Sequence, residues 1–422
     1  MNFKDKLRQI DPTLVSSRKH ENCLDQNPIE NVVAGEYVQT PYGACFFTEQ
    51  LFTSEMVPGK IDIFRLLNKS ATLFALVGKD TNLGKVALDR TIFLDTETTG
   101  LAGGAGTYIL LVGLGFFTER GFKIEQYFLR NYNEELAFLD CLKKRLSNYN
   151  ALVSFNGKSY DLPLLKTRFA LARLDSNGLP TLHLDLLFTA RRFWQRYLEN
   201  CRLASVEEHI LGIQRKSDVP GSLIPHLYFN YLQTGNAAPL KAVFAHNQQD
   251  VLTLVALTTH VCELFDQTSP QPISMREYAS MARVYEELAD YEKCISFYER
   301  IRTQTKNLQR FQEISTRLSL VYKRLGKWEK ATTVWKEQLE RGCPSIFPFV
   351  ELAKYYEHIA RDYSEALTYV QKAWHWVEMK ELFQAGFASE EIRNELLHRM
   401  RRLKQKRLLL ALSSNVNQQE FY

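Results

Sequence analysis

The order of strands and helices predicted after residue 90 limits this chain to a few folds. Three runs of strand-forming residues follow one another without an intervening helix, at 91–94, 108–117 and 122–129, and two more strands, at 151–155 and 181–187, are separated by helical sequence. Tight links predict antiparallel pairing, and crossovers through helices predict parallel pairing. The sequence therefore predicts an α/β domain with a mixed five-stranded sheet. An alternating parallel fold is excluded, because it would not begin with three consecutive strands.

Two acids stand at the end of the first predicted strand. In the segment Leu94–Gly100, LDTETTG, Asp95 and Glu97 are two positions apart. Residues i and i+2 share one face of a strand, so both carboxylates can point the same way. Carboxylates that close repel each other unless a cation lies between them, and their hard oxygens suit Mg²⁺ or Mn²⁺. The alternative is a solvated loop with incidental acids, but the buried strand before the pair favours a metal site.

A third acid follows the fourth predicted strand. The segment Val153–Asp161, VSFNGKSYD, leaves this strand at Asn156 and enters a helix near Asp161. An Asp at the start of a helix is often an ordinary N-cap. A place beside the first strand favours a metal ligand instead. Asn156 is expected to order the turn rather than touch metal, and it is also a candidate for contacting nucleic acid.

A histidine and a fourth acid stand together near the start of an apolar helix. His246 and Asp250 are four residues apart in the segment His246–Val251, HNQQDV. Residues i and i+4 share a helix face, so Asp250 could complete a carboxylate cluster with His246 beside it. The alternative is an Asp that favours the helix dipole, with His246 as a surface residue.

Together these segments resemble the DEDD 3′–5′ exonuclease superfamily and, within it, the YprB-type ribonuclease H-like proteins with C-terminal tetratricopeptide repeats. The resemblance covers residues 35–265 strongly and the repeats more loosely. It implies a ribonuclease H-like sheet with strand order 3-2-1-4-5. The residues that carry it are Asp95–Thr107, Phe155–Asp161, Asp218–Gly221 with Ile224-Pro225, and His246–Val251.

The resemblance also implies a role for each candidate residue. The four metal-binding acids of the superfamily match Asp95, Glu97, Asp161 and Asp250, which would hold two Mg²⁺ or Mn²⁺ ions, and the residue that orients the attacking water matches His246. In one branch of the superfamily three residues separate a Tyr from the last Asp, and in another branch four residues separate a His from it. This chain combines His with the three-residue gap, so the general-base role of His246 stays open.

The leading hypothesis is therefore a metal-dependent 3′–5′ exonuclease that hydrolyses DNA or RNA, with single strands or 3′ ends as its partner. A second hypothesis is a non-catalytic scaffold with a degenerate nuclease fold. The four acids speak against it, because decay would be expected to remove at least one of them. A phosphohydrolase with Asp95 as its nucleophile ranks last, since that chemistry usually needs Asp at the position of Glu97.

The C-terminal part of the chain shows internal similarity. Tyr285, Tyr322 and Tyr356 occupy equivalent places in three similar segments and are 37 and 34 residues apart. A period near 34 is typical of tetratricopeptide helix pairs, which bury their apolar faces by stacking. Such repeats are a candidate binding site for a protein partner. The predicted divisions are an N-terminal mixed segment without an assigned role (1–90), the exonuclease domain (91–265), a linker (266–274) and the helical repeats with a basic last helix (275–410). Within the N-terminal segment, residues 38–47 resemble a hairpin with Thr40–Gly43 as its turn.

Two basic segments are further candidates for contacting nucleic acid. Arg191, Arg192 and Arg196 alternate with aromatic residues, a composition that suits single-strand binding. The alternative, which we favour, is that these aromatic residues belong to the core. The run 399–407 holds six basic residues and could steer nucleic acid, but a helix that caps the repeats would look the same.

Composition sets the remaining expectations. The chain has 422 residues and a net charge of +5, with 45% apolar and 24% charged residues, which indicates a soluble protein of two or three domains. No apolar run approaches the ~20 residues that span a bilayer, and no signal peptide precedes the first domain, so we expect a cytoplasmic protein. The seven cysteines are scattered and predict reduced thiols rather than disulfides or a zinc site.

Overall fold

The computed structural model describes residues 27–53, 61–100, 104–215, 218–270, 272–383 and 390–419. The chain divides into two units, Met1–Ile273 and Ser274–Tyr422. The first unit is built on one sheet with helices around it, and the second is helical.

The sheet has seven strands, so the predicted number of five is corrected. Its order is β1-β2-β5-β4-β3-β6-β7, in which the five strands that follow residue 90 are neighbours, running β5-β4-β3-β6-β7. The strands are Glu36–Thr40 (β1), Gly43–Phe52 (β2), Thr91–Thr98 (β3), Ile109–Thr118 (β4), Gly121–Phe128 (β5), Ala151–Ser154 (β6) and Leu182–Asp185 (β7).

The two additional strands form the hairpin predicted around Thr40–Gly43. Strand β1 pairs antiparallel with β2, and Thr40 lies opposite Gly43. Strand β2 then pairs antiparallel with β5, from Phe46 opposite Phe128 to Phe52 opposite Phe122. The hairpin itself follows from local turn residues, but its partner β5 lies far along the chain. The sheet is therefore wider than the local patterns indicate.

Strand β3 is the centre of the site and is longer than predicted. It pairs antiparallel with β4 and parallel with β6, and β6 pairs parallel with β7. Its pairing with β4 continues to Thr98, with a register shift between Glu97 and Thr98. Both Asp95 and Glu97 therefore lie within the strand. Strand β7 is shorter than predicted, because Asp185 caps a helix that begins at Leu186.

Helices cover both faces of the sheet. Ile92 and Leu94 of β3 pack in one core with Leu142 and Phe169 of the two helices that follow β5 and β6. The longest helix of the unit contacts β3, β4 and β5, and every residue in its stretch 251–265 is buried. The helices are Ile29–Val32 (α1), Ala71–Gly78 (α2), Glu135–Leu146 (α3), Asp161–Leu171 (α4), Leu186–Trp194 (α5), Leu203–Val206 (α6), Ile224–Thr234 (α7) and Leu240–Phe265 (α8).

The second unit confirms the predicted helical region. In the part of it that the structure describes, each helix contacts the next one along the chain. Tyr285 and Tyr322 are buried, and Tyr356 packs against a core that includes Leu396 and Leu403 of the last helix. The helices are Met275–Glu287 (α9), Tyr291–Gln304 (α10), Leu308–Arg324 (α11), Trp328–Glu340 (α12), Phe347–His358 (α13), Tyr363–Phe383 (α14) and Glu390–Gln419 (α15).

The cysteines that the structure describes have free thiols. Cys45, Cys141, Cys201, Cys262, Cys294 and Cys343 are free, and all but Cys201 are buried. Cys23 lies outside the described residues. Within the described ranges, none of the helices has the length and apolar character that crossing a bilayer requires.

Candidate metal centre

Strand β3 and helix α8 bring three of the predicted site residues together. The Nε2 atom of His246 lies 3.8 Å from Oε1 of Glu97 and 3.5 Å from Oδ2 of Asp250. Each of these residues offers one possible ligand atom, and the three atoms lie within 4.8 Å of one another. The i, i+4 spacing on α8 thus places His246 and Asp250 on the same side as Glu97. These residues form the inner group of the candidate site.

Asp95 adjoins this inner group and is held by Asn247. The Asn247 Nδ2 donates to Oδ2 of Asp95 at 2.8 Å and to its backbone oxygen at 3.2 Å. The Asn247 Oδ1 accepts from Nε2 of Gln126 at 2.9 Å. Asn247 is fully buried. The sequence interpretation missed it, although it lies between His246 and Asp250 in the motif.

A glycine on β4 makes this contact possible. A Cβ added to Gly113 would lie 2.3 Å from Oδ1 of Asn247, which is closer than real Cβ atoms come to other atoms. A Cβ added to Gly115 would lie 2.5 Å from a methyl carbon of Val251 on α8. The two missing side chains therefore let helix α8 lie directly on the sheet.

Asp161 begins helix α4, as predicted, and contacts β3. Its Oδ1 accepts a short hydrogen bond from the hydroxyl of Thr96, the residue between Asp95 and Glu97. Burial raises the pKa of Asp161 to about 6, although the hydrogen bond from Thr96 acts in the opposite direction. Asp161 thus lies beside the two acids of β3 rather than within the inner group.

The acids of the site carry more negative charge than the protein compensates. Burial raises the pKa of Asp95 well above its usual value, and the charges of Asp250, Glu97 and Asp161 act in the same direction. Burial, together with Asp250 and Asp161, raises the pKa of Glu97 to about 8, although His246 acts against this change. Each raised pKa means that the ionised form is unfavourable in this environment.

His246 is oriented by an acid that was not assigned a role from the sequence. Its Nδ1 lies 2.7 Å from Oδ1 of Asp218, so Nε2 faces Glu97 and Asp250. Burial alone would lower the pKa of His246. The hydrogen bond to Asp218 and the charges of Asp250 and Glu97 outweigh burial and raise this pKa to about 9. The signal for Asp218 was the Asp218–Gly221 segment, which the resemblance included without a role.

Arg215 is a further residue that the sequence interpretation missed. Its guanidinium donates short hydrogen bonds to Asp250 and Glu207, and its Nη1 donates to Oδ2 of Asp218 at 3.1 Å. Glu207 also accepts from Thr253 Oγ1 at 2.8 Å. Arg215 therefore divides its positive charge among three carboxylates, and a metal ion would compete with it for Asp250.

The donor set fits hard divalent cations. Arg215 and a protonated His246 supply two positive charges, and Glu207 and Asp218 supply two negative charges beside them. The four remaining carboxylates of the site are an excess of negative charge, which hard divalent cations would balance. The oxygens belong to Asp95, Glu97, Asp161 and Asp250. The unfavourable ionisation of Asp95 and Glu97 is the expected state of such ligands before a cation binds.

Asn156 lies at the turn after β6. Its φ of 67° is left-handed, and its backbone N–H donates to Oδ1 of Asp185 at 2.8 Å. The backbone N–H of Lys158 donates to the other oxygen of Asp185 at 3.0 Å. Asn156 thus lies at the predicted turn, and its contact with nucleic acid stays a prediction.

The basic and aromatic segment on α5 divides into a buried and an exposed side. Phe193 and Trp194 are each 1% exposed, so the favoured interpretation of these two aromatic residues as core is confirmed. Nη1 of Arg192 donates to the backbone oxygen of Val77 at 2.9 Å. Arg191 and Arg196 are exposed. Stacking of bases on the two buried rings is excluded, and binding of a strand by the arginines stays a prediction.

Comparison with known sequences identifies the same ribonuclease H-like class of protein that the sheet order and the acids indicate. Residues 92–262 match the family model RNase_H_2, of the RNase_H superfamily. The chain is 32% identical over 349 residues to the uncharacterized protein YprB of Bacillus subtilis (strain 168), a match that covers 82% of this chain and 80% of that protein. The chain therefore belongs to the same family as YprB and carries a domain of the RNase H superfamily.

A comparison with solved structures gives a partial match. The family B DNA polymerase from the hyperthermophilic archaeon Pyrobaculum calidifontis aligns with a TM-score of 0.30 and 13% sequence identity. The alignment covers 49% of this chain and 28% of the polymerase chain.

Proposed function

We propose that this protein is a divalent-metal-dependent 3′–5′ exonuclease that hydrolyses phosphodiester bonds of DNA or RNA. The observation that carries the proposal is the meeting of Glu97, His246 and Asp250, with Asp95 and Asp161 beside them, in a ribonuclease H-like protein. An RNase H-like domain alone indicates a nuclease. The polarity and the number of ions are part of the proposal.

The acids of this site would hold two Mg²⁺ or Mn²⁺ ions, with Asp95, Glu97, Asp161 and Asp250 as ligands. When bound, such ions would lower the pKa of a coordinated water and would stabilise the charge on the leaving 3′ oxygen. Asn247 fixes one oxygen of Asp95 through its 2.8 Å hydrogen bond, and this limits the directions in which that carboxylate can coordinate.

The proposed role of His246 is to orient the attacking water or to accept its proton. Asp218 holds its Nδ1, so the ring orientation is fixed and Nε2 is directed toward the carboxylates. A ring held this way orients the attacking water at a defined place, and bound cations would lower its raised pKa so that it could also accept a proton. The three-residue gap before Asp250 is sufficient for this arrangement, because positions i and i+4 of a helix lie on one face.

One observation favours a second candidate, the non-catalytic scaffold. The ion pair between Arg215 and Asp250 neutralises a proposed metal ligand without any ion, as expected of a nuclease fold that has lost its activity. The raised pKa values of Asp95 and Glu97 argue against this candidate. Burying acids in a site where ionisation is unfavourable costs stability, and a scaffold has no use for them.

The proposal is tested with 5′-labelled single- and double-stranded DNA and RNA, incubated with Mg²⁺ or Mn²⁺. The wild-type protein is expected to shorten the strand stepwise from its 3′ end, whereas Asp250→Asn leaves it intact. Asp175→Asn is the matched control, because Asp175 is an exposed acid of the same unit that pairs with Lys143. A folded wild-type protein that cleaves none of the substrates with either metal would identify the scaffold instead.

A further inference from the structure

The helical unit contains a cavity of about 210 Å³ with an unusual lining. Helices α11, α12, α13 and α15 all contribute to it, and most of its side chains are basic or aromatic. Those that matter here are Lys323, Trp328, Lys354, Tyr355, His358 and Arg399.

Positive charge exceeds negative charge around this cavity. The largely buried Glu351 accepts from Nζ of Lys323 at 2.6 Å and from Nζ of Lys354 at 2.8 Å. Behind it, the fully buried Glu357 accepts from three cations, Arg399, Arg402 and Lys406, at 2.8 to 2.9 Å. Two carboxylates thus face five cations, and three of the cations line the cavity. The net charge at the cavity favours an anion.

The two aromatic rings provide a second kind of contact. The ring centroids of Trp328 and Tyr355 are 6.3 Å apart, with an angle of 35° between the ring planes. Both side chains are partly exposed, so ring surface is open to the cavity. Stacking on aromatic rings beside basic side chains is how proteins hold single-stranded nucleic acids without reading their sequence.

We propose that this cavity binds one nucleotide of a single-stranded nucleic acid, with the base against Trp328 and Tyr355 and the phosphate at Lys354 and Arg399. The preference for a polynucleotide over an acidic peptide rests on the proposed function. The geometry also favours it, because the ring pair offers stacking surface that the carboxylates of a peptide do not use. Lys354 and Arg399 already share buried carboxylates, so their positions are fixed before a ligand arrives.

The test uses the full chain carrying Asp95→Asn in buffer with EDTA, so that no strand is degraded during binding. Fluorescence anisotropy measures the affinity for labelled oligo-dT, oligo-U and a glutamate-rich peptide. Trp328→Ala is expected to weaken oligonucleotide binding about tenfold, and Trp328→Phe to restore most of the affinity. Lys354→Gln is expected to lower the slope of log Kd against log salt concentration by about 0.7, the value for one phosphate contact of a single strand.

Lys330→Ala is the matched control. Lys330 belongs to the same helix as Trp328, but its Nζ lies over the ring of Tyr322 outside the cavity, so its loss should leave the affinity within about twofold. Circular dichroism melting of each variant shows whether it is folded. Equal affinity of folded Trp328→Ala and the starting protein would overturn the proposal, as would an unchanged salt slope in Lys354→Gln or tighter binding of the peptide.

This result is separate from the proposed nuclease activity. Binding is measured without metal on a chain whose hydrolysis is already disabled, so an absent exonuclease activity would not alter the ranking of the variants. Conversely, hydrolysis by the wild-type protein together with an unaffected Trp328→Ala would reject the nucleotide cavity and leave the exonuclease intact.

Discussion

Both units of this protein bury carboxylates, and they do so in opposite electrostatic surroundings. In the helical unit, burial of Glu357 acts to raise its pKa, but hydrogen bonds from Arg402 and Lys406 outweigh burial and lower this pKa to about 2. In the sheet unit, burial and neighbouring acids raise the pKa of Asp95, and they raise that of Glu97 to about 8. The same chemical group is thus stabilised as an anion in one unit and destabilised in the other.

The difference separates a structural acid from a ligand. Glu357 receives its counter-charge from the protein, so it joins helices α13 and α15 and needs nothing from solution. Asp95 and Glu97 receive too little counter-charge from the protein, as expected of the metal ligands that we propose them to be. Asp250 lies between these two cases, because Arg215 pairs with it at the site where an ion is expected to bind.

The largest expected effect comes from removing one of the destabilised charges. Asp95→Asn should lower kcat/KM for hydrolysis by roughly 100-fold or more, because a metal ligand is lost. The same change should raise the unfolding temperature in EDTA at neutral pH. Burial raises the folded pKa of Asp95, so this carboxyl group opposes folding at every pH above its unfolded pKa. Calorimetry and cleavage kinetics on one preparation measure both effects. A lower unfolding temperature would mean that Asp95 is structural in the way that Glu357 is.

Adding the missing cations should have the next largest effect. Mn²⁺ at 100 times its Kd is expected to stabilise the wild-type sheet unit by about 2.7 kcal/mol, because the ion binds only the folded site. Differential scanning calorimetry with and without Mn²⁺ measures the shift, and Asp250→Asn should reduce it strongly. An equal shift in that variant would place the ion elsewhere.

In the helical unit, removal of a buried carboxylate should have the opposite effect on stability. Glu357→Gln should destabilise it by about 2 kcal/mol, because three cations lose their shared counter-charge and two of them are only about one-third exposed. The pKa of folded Glu357 lies below the ordinary glutamate value of 4.5, so this stabilisation is present above about pH 4.5 and is lost as the pH falls toward 2.

Urea unfolding between pH 7 and pH 2.5 measures the contribution of Glu357. The variant should lose less stability than the wild-type protein below about pH 4.5, since it has no carboxylate to protonate at this position. Glu340→Gln, which changes an exposed acid of α12, serves as the control and should match the wild-type protein. A Glu357→Gln variant as stable as this control would contradict the structural role of Glu357.

The smallest expected effect concerns Asp250, which is paired with Arg215. Arg215→Met should tighten Mn²⁺ binding about tenfold, because Asp250 no longer has a guanidinium that competes with the ion. Isothermal titration calorimetry measures the affinity, and Arg120→Met, which removes an exposed arginine of the same unit, should leave it unchanged. Weaker Mn²⁺ binding in Arg215→Met would instead assign Arg215 to holding Asp250 in place for the ion.

What could be predicted from the sequence depended on local geometry. Asp95 and Glu97 share a strand face, and His246 and Asp250 share a helix face, because both relations follow from the spacing of neighbouring residues. A hairpin around Thr40–Gly43 was predicted for the same reason. These features require no knowledge of the path of the chain.

What was missed depended on contacts between distant segments. The hairpin gives no local sign that β2 pairs with β5, so the sheet was predicted with five strands. Arg215 and Asp218 lie in a segment without the hydrophobic period of a helix or a strand. Their contacts with Asp250 and His246 depend on the path that brings this segment against α8. Asn247 looked like a spacer within its motif, because only the folded sheet shows that it reaches Asp95.

The glycines of β4 give this arrangement a consequence for metal choice. Strand β4 supplies none of the proposed ligands, yet the missing side chains at Gly113 and Gly115 set how near α8 comes to β3. Two-ion sites require separations of roughly 3.5–4 Å, so a single added methyl group at position 113 is large enough to change which cations fit. The cation selectivity of the proposed centre would therefore depend partly on a strand that supplies none of its ligands, and a substitution there would alter it without replacing a ligand.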